Sequence, residues 1–102
     1  VALAREAREA FARDHSQEGS RFVAASIGPY GAYLADGSEF RGDYGIDETA
    51  LYDFHAPRFE ILARAQPDLF ACETIPSLAE ARVLARLLAQ YEHLGGWITF
   101  SC

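Results

Sequence analysis

Glu73 closes an apolar run, Leu69-Phe70-Ala71-Cys72, and is the residue best placed for chemistry in this 102-residue sequence. A carboxylate at that point has to be met by water at the mouth of a site, by an opposite charge or by a proton. Such a group can hold a ligand ammonium or act as a general base. The structural alternatives are a salt bridge or a favourable negative charge at the start of the following helix. Two other strand ends carry polar groups, Ser26-Ile27-Gly28-Pro29 and Ser101-Cys102. The turn Gly28-Pro29-Tyr30-Gly31 sets an aromatic side chain beside one of them, as a pocket wall or as a plain exit from the sheet.

Other motifs are weaker. No GxGxxG follows a strand, no Walker sequence is present, and the Ser, His and Cys residues form no nucleophilic constellation. Cys72 and Cys102 lie in neither CxxC nor Cys/His spacing, so a metal site made by this segment alone is not expected. Cys72, inside an apolar run, reads as a small buried hydrophobe. His15, His55 and His93 read as surface or helix-terminal groups. Asp36-Gly37 and Arg41-Gly42-Asp43 mark tight turns, and nothing else extracellular supports an adhesion reading of the Arg-Gly-Asp triplet.

The elements that would position these groups follow from periodicity. Residues 1–13 carry Leu3, Ala7, Ala10 and Phe11 on one face of an amphipathic helix. The unalternating run at residues 22–27 suits a strand buried on both faces of a parallel sheet. Residues 30–46 form a Gly- and Tyr-rich loop, long enough to suggest a functional one. Asp47 is a candidate N-cap for a helix whose stripe reads Leu51, Phe54, Arg58, Ile61, Leu62 and Ala65, with a kink or restart expected near His55–Pro57. The second strand spans residues 69–73. Ser77-Leu78-Ala79-Glu80 is a capping box opening a helix through Ala81, Leu84, Leu88 and Tyr91, which Gly95-Gly96 stops. Residues 97–102 are the third strand.

Helix–strand alternation of this kind builds parallel sheets, so the fold class is α/β. Three strands cannot close a barrel, which needs about 250 residues; an open doubly wound sheet is the other host. In either, ligands bind at the carboxyl ends of the strands.

Composition narrows the partners. The chain is 50% hydrophobic and 24% charged, within the range of ordinary globular domains. Its net charge is −6, and all nine basic residues are Arg without a basic run. Nucleic acid is therefore not an expected partner. No apolar window reaches a membrane span, and no leader pattern opens the sequence, so the expected location is the cytoplasm. The sequence has no Met, begins in a helix and ends in a strand, which reads as an internal piece of a longer protein.

Four segments then resemble one family in the right order. Val23-Ala24-Ala25-Ser26-Ile27-Gly28-Pro29-Tyr30-Gly31, continuing to Tyr44, resembles the third barrel strand and following loop of bacterial homocysteine S-methyltransferases. Phe54-His55-Ala56-Pro57-Arg58 resembles their Phe-His-x-Pro-Arg helix, and Ala71-Cys72-Glu73-Thr74-Ile75-Pro76-Ser77 the turn after their fourth strand. Trp97-Ile98-Thr99-Phe100-Ser101 resembles their fifth strand.

The resemblance implies a partial (β/α)8 TIM barrel, with residues 1–102 supplying about strands three to five. The implied activity is methyl transfer from a sulfonium donor, S-methylmethionine or S-adenosylmethionine, to homocysteine, giving methionine. Glu73 matches the acidic residue that pairs with the homocysteine amino group; Thr74 and Ser26 sit beside the same mouth as pocket lining. The family's zinc is held by three Cys in Gly-x-Asn-Cys and Gly-Gly-Cys-Cys-Gly contexts, both absent from this sequence, as is its early Asp-Gly-Gly motif. Zinc ligands and catalytic residues are accordingly expected outside these residues, and the segment alone is expected to be inactive. Two alternatives stand beside this one: a non-catalytic barrel kept for binding, and a barrel hydrolase or lyase using Glu73 as acid or base. The latter needs a second carboxylate or His at a neighbouring strand end, and neither neighbouring end supplies one.

Overall fold

A computed structural model describes residues 1–14, 22–31 and 46–101. The tight turns at Asp36-Gly37 and Arg41-Gly42-Asp43, most of the Gly- and Tyr-rich loop, His15 and Cys102 lie outside the described residues. In chain order the elements are α1 (Ala2–Asp14), β1 (Ala24–Ile27), α2 (Glu48–Arg64), β2 (Leu69–Ile75), α3 (Leu78–Gln90) and β3 (Gly96–Phe100).

The strands form one parallel sheet in the order β1-β2-β3. Ala25, Ile27, Phe70, Cys72 and Ile75 pack with Leu51 and Phe59 of α2 and Ala81, Val83, Leu84 and Leu87 of α3. Both helices that link the strands therefore cover the same sheet face. Because side chains alternate along a strand, Ala24, Ser26, Ala71, Glu73, Trp97 and Thr99 belong to the other face. Strands in chain order with both crossovers on one face are what a barrel segment requires.

The caps form where local sequence places them. Asp47 Oδ1 accepts the Ala50 N–H at 2.9 Å, and Ser77 Oγ accepts the Glu80 N–H at 3.2 Å. Phe59, Phe70 and Tyr91 make an aromatic cluster behind the sheet, with Phe59 and Phe70 centroids 4.7 Å apart. At the amino ends of the strands, Asp68 Oδ2 accepts both the Val23 N–H and an Arg8 N–H at 2.6 Å. Arg5 also donates to the carbonyls of Ala65 and Gln66, so α1 docks through its basic residues.

Four expectations need correction. Leu51 of the expected α2 stripe is buried and Leu62 packs against the core, but His55 and Phe59 take the central core positions in place of Phe54, Arg58 and Ile61. The helix runs through Pro57 without a restart; Pro57 and Asp53, whose carbonyl loses its N–H partner, are both on the exposed side. Leu3 of α1 is 81% exposed, so the helix's apolar stripe is not buried against the sheet. The second strand continues two residues beyond Glu73, to Ile75.

Candidate functional site

The carboxyl end of β2 is irregular. Cys72 pairs with Ile98 and Ile75 with Phe100, so Glu73 and Thr74 together oppose the single residue Thr99. This is a β-bulge, a feature common at barrel rims and beside active sites, where it re-aims a side chain. In a regular strand residues 73 and 75 would share a face. Here Ile75 is fully buried in the core while Glu73 is exposed on the opposite side. The extra residue lets the strand do both. Thr74 takes up the distortion with φ +60°, a left-handed conformation rare for a β-branched residue. Its N–H donates to Thr99 Oγ1 at 3.0 Å, and the ladder resumes with Ser101 N–H donating to the Ile75 carbonyl at 3.1 Å.

Of the three site residues read from the sequence, Glu73 and Ser26 lie on the same open sheet face, on neighbouring strands. Ser26 pairs with Ala71, two positions before Glu73. Thr74 follows directly in the bulge. Ser26 also borders a cavity of about 500 Å³ beside the end of β1, walled by Gly28, Pro29 and the Phe54, Arg58 and Ile61 flank of α2. Neither Glu73 nor Thr74 reaches that cavity. The residues displaced from the expected core stripe thus form its wall. Arg58 stacks over the Phe54 ring at 3.8 Å and donates to the Phe54 carbonyl. Tyr30 meets Phe54 edge-on at 4.9 Å.

Sequence reasoning missed a buried polar pair behind the rim. His55 and Glu80 are both fully buried, with Nε2 and Oε2 2.7 Å apart. The same Oε2 accepts the Tyr30 N–H at 2.7 Å, fastening the turn that follows β1 to α3. Glu80 therefore does not turn back on its own helix start, as the capping box implied, and His55 is not a surface group. No signal within either helix foretells this pairing. The nearest hint was the phase of α2, which accepts His55 as core only once an acid opposite it is known. Among the described residues, His55 Nδ1 and Glu80 Oε1 have no partner. Thr99 was the other omission, a threonine mid-strand with no local signature.

Cys72 is buried on the core face, and burial, then the neighbouring Glu73 carboxylate, pushes its thiol from 9.0 up to about 12. A thiol held protonated in this way is a poor metal ligand. Among the described residues no group of three His, Cys, Asp or Glu side chains could hold a metal ion, so these residues do not fit a zinc centre. Nor do the described ends of β1 and β3, Ser26-Ile27 and Phe100-Ser101, set a second carboxylate or His beside Glu73. Among the described residues no helix is long and apolar enough to cross a membrane.

Comparison with known proteins agrees with this geometry. The profile of the family described as Homocysteine S-methyltransferase matches residues 1–102. The homocysteine S-methyltransferase of Escherichia coli (strain K12) is 52% identical over 101 residues, covering 99% of this chain and 33% of that protein. Homocysteine S-methyltransferase 1 of Zea mays is 49% identical over 109 residues, covering 99% of this chain and 34% of the relative. The crystal structure of the homocysteine methyltransferase MmuM from Escherichia coli, in its metallated form, superposes with a TM-score of 0.93 at 51% identity. It covers 99% of this chain and 35% of that one. The chain thus spans about a third of the length of the relatives it matches. Its three parallel strands and their helices are part of a (β/α)8 barrel, and the chain belongs to the homocysteine S-methyltransferase family.

Proposed function

We propose that the whole protein carrying this segment transfers a methyl group from a sulfonium donor, S-methylmethionine or S-adenosylmethionine, to homocysteine, giving methionine. The segment supplies about strands three to five of the barrel, and Glu73 receives the substrate's ammonium group. The observation that carries the reading is the bulge at Glu73-Thr74, which turns a carboxylate off the core face at the strand end where barrels bind ligands. Ser26 and Thr74 line the same mouth.

The chemistry asks little of these residues beyond placement. A sulfonium methyl is already activated, so alignment of donor and acceptor is the main contribution of the walls. An ionic contact at the substrate's amino end fixes where its sulfur lies. The metal is expected to be zinc, held by residues beyond this chain; the metallated form of the Escherichia coli relative supports a metal in the family. Bound zinc favours the thiolate form of a ligand sulfur. No step involving the metal falls to the residues described above. The reaction belongs to the cytoplasm, in keeping with the free thiol of Cys72.

The test is Glu73→Gln in the full-length protein. Loss of a charge-assisted bond is expected to raise the homocysteine KM by roughly ten- to a hundredfold, with metal content unchanged. An unaltered KM removes Glu73 from the substrate site.

A further inference from the structure

Thr99 lies opposite the bulge at Glu73 and is hydrogen-bonded to it. In the register of β2 against β3, Glu73 and Thr74 share one opposing position, and that position is Thr99. The Thr74 N–H donates to a side chain of the neighbouring strand, Thr99 Oγ1, at 3.0 Å. Thr74 itself sits at φ +60°, where a β-branched residue persists only if its surroundings over-determine it. The competing arrangement is regular pairing. It would return residues 73 and 75 to one face, either drawing Ile75 out of the core or turning Glu73 towards it.

We infer that Thr99 is a positioning residue for Glu73: its hydroxyl oxygen, by accepting the Thr74 N–H, locks the bulge that aims the Glu73 carboxylate into the site. The inference rests on the reading of Glu73 as the substrate's ammonium partner, and it adds a residue on a different strand as a determinant of homocysteine affinity. Thr99 touches no reacting atom in this scheme; it acts through the backbone of Thr74.

The experiment uses the full-length protein with Thr99→Val, which keeps the shape and removes the acceptor, and Thr99→Ser, which keeps the oxygen. Thr99→Val is expected to raise the homocysteine KM roughly two- to tenfold, the worth of one hydrogen bond, with kcat changed less. Thr99→Ser is expected to restore the parent KM. In a Glu73→Gln background, Thr99→Val should add little, because the group it positions has gone. An equal rise in both backgrounds, or none in the parent, overturns the inference. Hydrogen exchange at the Thr74 amide separates the two claims. It should quicken in Thr99→Val and not in Thr99→Ser, whatever Glu73 binds, and unchanged exchange overturns the inference even where Glu73→Gln has weakened homocysteine. Faster exchange with a Glu73→Gln KM equal to the parent's rejects the substrate role of Glu73 and, with it, the positioning role. Thr99→Ala, which also lacks the oxygen, replaces the valine variant if that protein does not fold.

Discussion

Removing the acid behind the rim should be among the most damaging single changes in this chain. Glu80 and His55 are both fully buried 2.7 Å apart, and Glu80 also receives the Tyr30 N–H at 2.7 Å. Glu80→Leu fills a similar space but leaves the fully buried imidazole Nε2 and the partly buried Tyr30 amide without their partner. A buried polar group left unpaired loses about 1–3 kcal/mol, so the two together give up to about 2–6 kcal/mol. Breaking a buried pair by deleting one partner gives about 3–5 kcal/mol, which agrees. About 4 kcal/mol is a large share of the 5–15 kcal/mol that holds a typical protein folded. The assay is urea unfolding of the full-length protein carrying Glu80→Leu, His55→Leu and both together. The double variant, which leaves neither partner uncompensated, should be less destabilised than the sum of the singles. A Glu80→Leu protein within about 1 kcal/mol of the parent at unchanged m-value would refute the reasoning. Strictly additive singles would do so as well.

Four further outcomes follow from the same geometry. The Cys72 thiol titrates at 9.0 ordinarily and at about 12 in the fold, so above pH 9 the unfolded chain releases a proton that the folded one keeps. Stability should therefore fall as pH rises from about 9 towards 12, and Cys72→Ala should flatten that slope in alkaline urea titrations. A Cβ on Gly96 would lie 2.7 Å from the Phe70 carbonyl oxygen and 2.9 Å from Leu88 Cδ2. Gly96→Ala should thus destabilise by about 1–3 kcal/mol in the same assay. Ser77→Ala, which loses the oxygen accepting the Glu80 N–H, should remove about 1 kcal/mol by urea unfolding. Finally, the isolated chain should self-associate in size-exclusion chromatography, because Phe22, Trp97 and Phe100 are exposed and neither β1 nor β3 has an outer neighbour among the described residues. A reversible cooperative melt of the monomer would count against this.

What could be read from the residues alone was whatever depends on near neighbours. Asp47 and Ser77 cap their helices through N–H groups three positions on, and both caps form. The alternation of apolar runs with helical stripes marks the three strands and the parallel sheet, and the end of one run marks Glu73 as the residue to watch. The features that tertiary structure alone decided join residues far apart in the chain. His55 and Glu80 lie 25 positions apart, as do Thr74 and Thr99. Periodicity placed Leu51 and Leu62 on the core side of α2 but passed over His55, whose ring is buried against an acid on α3. The direction of Glu73 likewise depends on an extra residue in β2, which exists only relative to β3. Local chemistry determines caps and strand ends, whereas the face a side chain takes and the partner a buried polar group finds belong to the packing of one element on another.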